Sequence, residues 1–428
     1  MKRSFFLMAA LFVLTTVKAQ DTLRVMSYNL LNYGNITSYC TVQNNSFTNK
    51  EKYLRSIINY TRPDIFAVNE LAGNSFIHKR LLDSALNGGN ANYYAKAGYS
   101  NGAGSDIVVM MYYNSKKLSL AGQYVLNTQV RDIVLYKLYY NDPALAQTND
   151  TAFINCIVAH LKAGSSSSDI STRASMAENA MSWLSQHAGA GDYLFMGDLN
   201  LKSSSEAAYQ KLTNYSNSSI RFYDPINKPG NWNNHSSFAS IHTQSTHSSS
   251  NGCASGGGLD DRFDFILASS SVINGTSHYQ YIPGSYTVVG NDGQHFNKAI
   301  NSGANNSAPA SVINNLYNMS DHLPLMMKLK VDQQGAGIAA ALNRNNLRLK
   351  TVSPFDNRLM VKTASAASTN ITVELFSAEG RRFYKNELLL NNGDGEINIE
   401  TSLLPAGLYI LKVTDETGFF ISRKVIKL

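Results

Sequence analysis

Short apolar runs that end in polar residues recur along most of the chain. In one of them, residues 193–196 are continuously apolar, which predicts a short buried strand. Gly197 then permits a turn or a close backbone approach. Asp198 and Asn200 follow, and at positions i and i+2 of an extended backbone their side chains point to the same side. Two polar side chains so placed could form part of a functional site, but a strand followed by an Asx-turn fits the same short pattern. The residues at the other strand ends are needed to distinguish the site from the simple turn.

Strand-like and helix-like periodicities alternate over the first three quarters of the sequence. The pattern predicts strands over residues 22–28, 65–68, 107–113, 131–138, 151–159, 262–268 and 325–331, and helices over 50–60, 76–86 and 171–187. Residues 279–289 fit a strand pair or an irregular excursion, and residues 231–258, rich in Ser, Asn, Gly and His, predict a long loop. Strands interspersed with a few helices indicate a layered α/β or α+β domain.

The two ends of the chain differ from this central part. Lys2 and Arg3 precede a short apolar stretch, and Val17-Lys18-Ala19 is a small-x-small cleavage site, so residues 1–19 are predicted to be a signal peptide and the chain to be exported. Residues 333–346 are rich in Gly, Ala and Asn and predict a linker. Beyond them, short strands over 352–355, 371–376, 404–410 and 424–428 predict a small β-sandwich spanning 347–428, behind a main domain of residues 20–332.

Composition adds little to this organisation. The chain has 428 residues, 43% of them hydrophobic, which fits a folded protein of more than one domain. Its net charge of +7 includes three basic residues of the predicted signal peptide, so bulk charge does not argue for a polyanionic partner. Of three cysteines, Cys156 lies in an apolar strand and is expected to be a buried thiol. Cys40 and Cys253 lie in polar loops and could pair in an exported protein, but two cysteines alone do not establish this.

The polar residues at the strand ends are suited to hard metal ions. Glu70, Asp198 and Asp321 are carboxylates of the kind that binds Mg²⁺, Mn²⁺ or Ca²⁺. Asn29 and Asn200 can act as neutral oxygen ligands or as amide donors. Zinc is less favoured, because the core strands carry no His-x₃₋₅-His or Cys-x₂-Cys pair.

Two histidines accompany these carboxylates. His160 follows an apolar strand and His322 precedes one, while Asp106 and Asp264 are available in otherwise apolar strands to orient them. A histidine backed by a carboxylate keeps one tautomer and has a raised pKa, and it can activate water or protonate a leaving oxygen. Three further histidines fall in the predicted loop 231–258, where a solvated loop explains them better than a metal site.

Six motifs in order carry a resemblance from about Thr22 to Val331. They are Ser27-Tyr28-Asn29, Ile65-Phe66-Ala67-Val68-Asn69-Glu70, Ala159-His160-Leu161, Gly197-Asp198-Leu199-Asn200, Arg262-Phe263-Asp264 and Ser320-Asp321-His322-Leu323-Pro324. The series resembles the endonuclease/exonuclease/phosphatase superfamily. The resemblance implies an α/β fold, a four-layered sandwich of two stacked, mostly antiparallel sheets flanked by helices. It also implies metal-dependent attack of water on a phosphodiester or phosphomonoester.

The deoxyribonuclease I-like branch supplies roles for individual residues. The resemblance implies that Asp106 orients His160, Asp264 orients His322, and Arg131 contacts phosphate. It also implies that Glu70 binds Mg²⁺ or Mn²⁺, with Asn29, Asp198 and Asp321 close by, that Asn200 and Asp198 serve the chemistry, and that a structural Ca²⁺ is a further candidate ion.

Three departures from that branch leave the substrate open, and one is that the loop 231–258 has no counterpart in it. Asn69 stands where Gln is usual, and Gly104 stands where a Tyr lies near the DNA groove. A secreted nuclease acting on DNA or RNA is the first hypothesis, a sphingomyelinase-like or sugar-phosphate phosphohydrolase the second, and an inactive adhesion module the third.

The C-terminal segment has its own resemblance. Its Pro405-x-Gly407-x-Tyr409 core and its basic-apolar end resemble the sorting domain of the type IX secretion system. This resemblance implies the secretion machinery as a partner and a secreted or cell-surface location for a protein expected to be a monomer. A carbohydrate-binding or immunoglobulin-like module fits the same strand pattern.

Overall fold

The computed structural model describes residues 20–89, 91–142, 145, 151–332, 348–365, 369–378, 381–390, 393–415 and 420–428. The predicted signal peptide and the predicted linker lie outside these residues. The chain divides into two compact units, one formed by Lys18–Gly335 and one containing Ala336–Leu428. In the described part of the chain, no helix is long and apolar enough to cross a membrane.

The first sheet of the N-terminal unit is built from both ends of that unit. Its strands are β1 (Gln20–Tyr33), β2 (Ile65–Ala72), β3 (Tyr94–Lys96), β4 (Ile107–Asn114), β11 (Tyr279–Tyr281), β12 (Thr287–Val288) and β13 (Leu325–Asp332). They are arranged in the order β11–β13–β1–β2–β4–β3, with β12 also paired to β13. Only β1 and β2 run parallel.

The second sheet comes from the middle of the unit. Its strands are β5 (Leu118–Asn127), β6 (Ile133–Tyr140), β7 (Phe153–His160), β8 (Tyr193–Asp198), β9 (Phe222–Tyr223) and β10 (Asp264–Ser269). The order is β5–β6–β7–β8–β10–β9, and only β7 and β8 run parallel. Each sheet is therefore mostly antiparallel, as predicted.

Helices cover the outer faces of the two sheets. The helices are α1 (Phe47–Thr61), α2 (Ser75–Leu81, continued by a π-helical turn over Leu82–Leu86), α3 (Ser167–His187), α4 (Ala207–Thr213), α5 (Ser270–Asn274) and α6 (Ala310–Met319). One hydrophobic cluster joins both sheets and includes α1, α2 and α6, while a second packs α3 and α4 against the other face of the second sheet. The predicted four-layered sandwich is thereby confirmed.

Burial of these apolar faces explains why the short elements form. The side chains of Leu54, Phe66, Phe195 and Leu316 are fully buried, and burying such a side chain is worth about 1.5–3 kcal/mol. α3 begins at Ser167, earlier than the predicted residue 171. The Ser166 side chain accepts a hydrogen bond from the backbone N–H of Asp169 there and completes a capping box.

Some elements differ from the sequence prediction for identifiable reasons. β1 continues past Asn29 to Tyr33, with an irregular register beyond Asn29. Residues 279–289 do form two short strands, but each pairs with β13 instead of with the other. The predicted loop 231–258 also contains a 3₁₀ helix, Ser236–Ile241.

The C-terminal unit consists of two small sheets around their own hydrophobic core. Its strands are β14 (Arg348–Thr351), β15 (Arg358–Ser365), β16 (Thr369–Ser377), β17 (Arg382–Leu390), β18 (Gly393–Glu400), β19 (Gly407–Asp415) and β20 (Phe420–Lys427). β14, β15 and β18 form one sheet, and β17, β16, β19 and β20 form the other. Residues 352–355, predicted as a strand, lie after β14 and are not one, since Pro354 cannot donate to a ladder.

Candidate active site

The polar strand ends converge because of the strand directions. β1 runs parallel to β2, and β7 runs parallel to β8, where His160 is in register with Asp198. β10 runs antiparallel to β8 and begins at the same edge, with Asp264 opposite Asp198. β13 likewise begins where β1 ends, so the residues just before it, including His322, enter the same region.

Asn29 is the centre of this cluster. Its amide Nδ2 lies 3.0 Å from Glu70 Oε1, 3.0 Å from Asp198 Oδ2 and 3.4 Å from His322 Nε2. Its Oδ1 accepts a hydrogen bond from the backbone N–H of Leu31. Asn29 was predicted beside the metal, as a neutral oxygen ligand or as an amide donor. In this structure its amide nitrogen faces two carboxylates, as the second alternative predicts.

Backbone conformations at three of these strand ends are unusual. Glu70 and Asn200 have φ values of 57° and 52°, in the left-handed region, and such backbone is concentrated at functional sites. Gly197 has a φ of 133°, and a Cβ there would lie 1.9 Å from the carbonyl oxygen of Ala159. Glycine is therefore required for β7 and β8 to approach each other beside the site.

Glu70, His160 and Asp198 form a group whose ligand atoms all lie within 4.8 Å of one another. His160 Nε2 lies 3.9 Å from Glu70 Oε1 and 3.5 Å from Asp198 Oδ2. Asp321 lines the same cavity, and its Oδ1 is buried with no hydrogen-bond partner among the described residues. Buried carboxylate oxygens need a compensating partner, and this oxygen-rich set with one imidazole fits a divalent cation such as Mg²⁺ or Mn²⁺.

The predicted pairing of Asp264 with His322 is present. Asp264 is fully buried, and its Oδ2 lies 2.7 Å from Nδ1 of His322. Thr243 Oγ1 accepts hydrogen bonds from the backbone N–H groups of Phe263 and Asp264, which fixes the start of β10. The other imidazole nitrogen of His322 faces the cavity, 3.7 Å from Asp198 Oδ2.

The predicted pairing of Asp106 with His160 is wrong in this structure. Asp106 is exposed, and its backbone carbonyl accepts from the N–H of Gly73. Nδ1 of His160 is buried and has no hydrogen-bond partner within the described part of the chain. The loop that precedes β4 thus presents Asp106 to solvent instead of to the histidine.

Arg131 and Asn200 approach the cluster from its second-sheet side. Arg131 Nη1 and Asn200 Nδ2 each donate to the carbonyl oxygen of Leu161, at 3.3 Å in both cases. The backbone N–H of Asn200 donates to Asp198 Oδ1 over 3.0 Å. Burial lowers the pKa of the Arg131 guanidinium, opposed by the charges of Glu70 and Asp198, so Arg131 supplies positive charge beside these carboxylates.

Gln244 and Ser255, both in the loop 231–258, contact the candidate catalytic residues Asp321 and His322. Neither was predicted from the sequence. Gln244 Nε2 lies 2.8 Å from His322 Nε2 and 3.2 Å from Asp321 Oδ2. The backbone N–H of Ser255 donates to the same Asp321 oxygen over 2.9 Å. Their hydrogen bonds are to residues far away in the sequence, so no local pattern reveals them. Only their position in the loop 231–258, for which the deoxyribonuclease I-like branch offered no counterpart, could have drawn attention to them.

A disulfide ties this loop to the one that follows β1. Cys40 and Cys253 are bonded across a sequence separation of 213 residues. Cys253 and Ser255 both line the cavity that contains the candidate catalytic residues. The remaining cysteine, Cys156, is a buried free thiol, as predicted.

The two histidines are in opposite electrostatic environments. Burial lowers the pKa of His160 well below its ordinary value, and the nearby charges of Arg131 and His322 lower it further. Burial alone would also lower the pKa of His322, but the carboxylates of Asp264 and Asp198 raise it well above its ordinary value. Burial raises the pKa of the Asp198 carboxyl to about 7. The surroundings therefore favour the neutral form of His160 and the charged form of His322.

Most of these groups line one open cavity of about 350 Å³. Its wall includes Glu70, His160, Asp198, Asn200, Gln244, Asp321 and His322. Carboxylates that can hold a cation, two imidazoles and amide donors on one cavity are the groups needed to bind a phosphate ester and to move protons around it.

Sequence comparison identifies two families along the chain. Residues 26–322 match the Endonuclease/Exonuclease/phosphatase family, which confirms the resemblance of the six motifs. Residues 353–428 match the Secretion system C-terminal sorting domain, which confirms the predicted sorting domain and indicates export to the cell surface or beyond. No curated protein matches this chain in sequence.

Solved structures with a similar arrangement come from diverse organisms. An endonuclease/exonuclease/phosphatase family protein from Bacteroides thetaiotaomicron is 14% identical with a TM-score of 0.46, and the match covers 75% of this chain and 99% of that one. D. rerio TDP2 complexed with a single-strand DNA product is 11% identical with a TM-score of 0.45, covering 72% and 98%. The human Nocturnin catalytic domain with a bound sulfate anion is 14% identical with a TM-score of 0.42, covering 72% and 97%.

Proposed function

The chain belongs to the Endonuclease/Exonuclease/phosphatase family, and we propose that it is an exported, divalent-metal-dependent phosphodiesterase whose substrate is nucleic acid. The activities in the family's description all hydrolyse phosphoric esters, so the chain is a phosphoric ester hydrolase. Beyond that class, the proposal specifies that the enzyme depends on a divalent metal, that it cleaves a diester, and that its substrate is nucleic acid. It also assigns residues 20–332 to catalysis and residues 347–428 to export, after removal of a signal peptide over residues 1–19.

One observation carries the proposal. A single amide nitrogen, Asn29 Nδ2, is within 3.4 Å of Glu70, Asp198 and His322, and His160 Nε2 lies 3.5 Å from the same Asp198 oxygen. Two carboxylates and two imidazoles therefore face one point of the cavity wall. Such a concentration of acidic groups is costly unless a cation is bound.

Glu70 and Asp198, with His160 beside them, would hold the divalent cation, and Asp321 adds a further carboxylate to the same cavity. When bound, the cation supplies positive charge that offsets the negative charge developing on the phosphate oxygens. Asn29 would keep the two carboxylates oriented through its amide donor. Mg²⁺ and Mn²⁺ both suit such oxygen ligands.

The histidines would do the proton transfers. Asp264 holds Nδ1 of His322 and so aims Nε2 at the cavity, and His160 presents Nε2 to the same cavity from the end of β7. Hydrolysis needs a proton removed from water and a proton delivered to the leaving oxygen, and oriented imidazoles serve both purposes. Asn200 and Arg131 would contact phosphate oxygens, whose negative charge Arg131 complements.

The test compares substrates in parallel. Full-length protein is incubated with Mg²⁺ or Mn²⁺ and plasmid DNA, RNA, sphingomyelin or a sugar phosphate, and each reaction is repeated in excess chelator. We expect hydrolysis of nucleic acid that chelator abolishes. Faster hydrolysis of sphingomyelin or of the sugar phosphate would overturn the nucleic-acid assignment while leaving the hydrolase class intact, and equal rates in chelator would overturn the metal dependence.

A further inference from the structure

A second cavity of about 360 Å³ lies beside the catalytic one. Leu31 lines both cavities. Ser320 lines the second cavity and its neighbour Asp321 the first, while Ala254 lines the second and Cys253 the first. Single segments of the chain therefore separate the two cavities. The cavities lie close enough together to bind neighbouring parts of one substrate.

The lining of the second cavity is polar and nearly uncharged. It carries six side-chain amides, from Gln43, Asn44, Asn45, Asn49, Asn251 and Asn318. No Asp or Glu of the described chain is part of its wall, and its lysine, Lys50, donates to the backbone carbonyls of Leu30 and Leu31 over 2.8 and 2.6 Å. This wall suits a neutral group with many hydrogen-bonding atoms. It does not suit an acyl chain, which needs apolar walls.

One buried atom of this cavity needs a donor. Asn45 is 8% exposed, and its Nδ2 donates to the backbone carbonyls of Leu31 and Asn32. Its Oδ1 is buried and has no partner among the residues that the structure describes. A buried amide oxygen without a donor costs free energy. This oxygen is closed off from solvent, so the exposed amides of Gln43, Asn49, Asn251 and Asn318 are the groups that a ligand can reach.

Two aromatic residues also line the cavity. They are His247 and Tyr317, whose rings stack on each other with centroids 4.0 Å apart and planes 27° apart. Aromatic rings and amides are the groups with which proteins hold unpaired bases, whose faces stack and whose edges offer both donors and acceptors. His247 lies in the loop 231–258, three residues beyond Gln244, so the same loop lines both cavities.

We propose that the second cavity binds a nucleobase of a single-stranded segment whose phosphodiester lies in the catalytic cavity. This inference rests on the proposed phosphodiesterase function and makes its substrate class specific. A base supplies a neutral planar group with both donors and acceptors along its edge. The exposed amides of the wall can pair with its exocyclic amino group, its ring nitrogens and its carbonyls.

Two neighbouring serines allow a matched test. Ser249 lines the cavity, whereas Ser248 is exposed and is not part of the wall. The variants Ser249→Trp and Ser248→Trp add the same bulk to the same loop of the full chain. Each is assayed on a short single-stranded oligonucleotide, on the same strand with abasic sites, and on bis(p-nitrophenyl) phosphate, which has no base.

For Ser249→Trp we expect the ratio of kcat/KM on the oligonucleotide to kcat/KM on the small ester to fall by about tenfold, because the stacking and pairing of one base are lost. Ser248→Trp is expected to keep the wild-type ratio. The wild-type protein is expected to cut the abasic strand more slowly than the normal one. An unchanged ratio in Ser249→Trp, or equal rates on the two strands, would overturn the proposal.

Binding without catalysis separates this proposal from the function on which it rests. Adenosine, cytidine and methyl glucoside are titrated into wild-type protein in excess chelator and followed by saturation-transfer NMR. Nucleoside signals that Ser249→Trp weakens and Ser248→Trp does not are the expected result. Binding of methyl glucoside alone, or of none of the three, would overturn the base assignment. Failure of the wild type to cleave any phosphodiester would count against the proposed function instead. If Ser249→Trp does not melt like Ser248→Trp, Asn318→Trp, at another residue that lines the cavity, replaces it.

Discussion

Asp264 accepts from Nδ1 of His322 over 2.7 Å, in a fully buried position at the start of β10. An imidazole held in this way has one tautomer and one orientation, so the acid and the histidine should act as a unit. His322→Ala should lower kcat by roughly 10²-fold or more, since an oriented proton-transfer group is lost. Asp264→Asn should lower kcat as well, and the double variant should be little worse than His322→Ala alone. Losses that multiply in the double variant would contradict the pairing.

The same assay distinguishes the two histidines. His160→Ala should also lose roughly 10²-fold. Asp106→Asn, however, should retain nearly wild-type activity, because Asp106 is exposed and Nδ1 of His160 has no hydrogen-bond partner within the described ranges. A large loss in Asp106→Asn that vanishes in a His160→Ala background would show that the two residues pair during catalysis after all.

Glu70 should determine the metal response. Glu70→Gln keeps the size of the side chain but removes a charge from the carboxylate group, so stimulation by Mg²⁺ or Mn²⁺ should be lost. Its thermal stability without metal should be equal to or above that of the wild type, because a neutral amide is repelled less by Asp198. Glu178→Gln is a suitable control, since Glu178 is a surface residue of α3 paired with Lys211. Metal-stimulated activity in Glu70→Gln would remove Glu70 from the ligand set.

Gln244 should affect kcat more than KM. Its amide lies 2.8 Å from His322 Nε2 and 3.2 Å from Asp321 Oδ2, so it positions both side chains without belonging to a strand end. Gln244→Leu, which preserves bulk but not the donor, should lower kcat about tenfold. Gln294→Leu, at an exposed position, should not. A change confined to KM would mean that Gln244 contacts substrate instead of positioning the histidine.

The residues that the sequence predicts well are those whose position depends on local pattern. Asn29, Glu70, His160 and Asp198 each follow an apolar strand, and once the two parallel strand pairs form, they have to meet at one edge. Gln244 and Ser255 were missed because their contacts depend on how a long polar loop folds back across the molecule, and no periodicity records that. Asp106 was misassigned because its role came from a resemblance, whereas its side chain is placed by the loop before β4.

The secondary structure, too, is predicted well where it depends on local pattern and poorly where it depends on long-range pairing. β7 and β8 are almost entirely buried, so their sequences are mostly apolar and easily recognised, with Asn155 the one polar interruption in β7 before His160. β5 was missed because most of its side chains are partly or fully exposed without clean alternation, and its place in the sheet is fixed by pairing with β6. The Cys40–Cys253 bond was one open alternative in the sequence and is present in the structure, because the loops after β1 and before β10 meet beside the site.

Reduction of that disulfide should impair catalysis as well as stability. Removing a native disulfide typically costs about 2–5 kcal/mol, which for a unit of this size corresponds to a fall in Tm of roughly 3–8 °C. Activity should fall at temperatures where the protein is still folded, because Ser255, two residues from Cys253, holds Asp321. Dithiothreitol should have no further effect on the double variant Cys40→Ser/Cys253→Ser, since Cys156 is buried. Full activity of the reduced, folded enzyme would separate the disulfide from the site.

Removal of residues 333–428 should separate export from catalysis. The C-terminal unit has a hydrophobic core of its own, and the candidate catalytic residues all lie in the other unit. A chain that ends at Asp332 should therefore fold and hydrolyse substrate with kcat and KM near those of the full chain, but it should remain inside the cell that makes it.

Activity and cell fractionation are measured on the same cultures, and Glu70→Gln in the full chain serves as the control that is exported yet inactive. A truncated chain that melts normally but has lost activity would mean that the C-terminal unit contributes to substrate binding. A truncated chain that still reaches the surface would mean that another segment directs export.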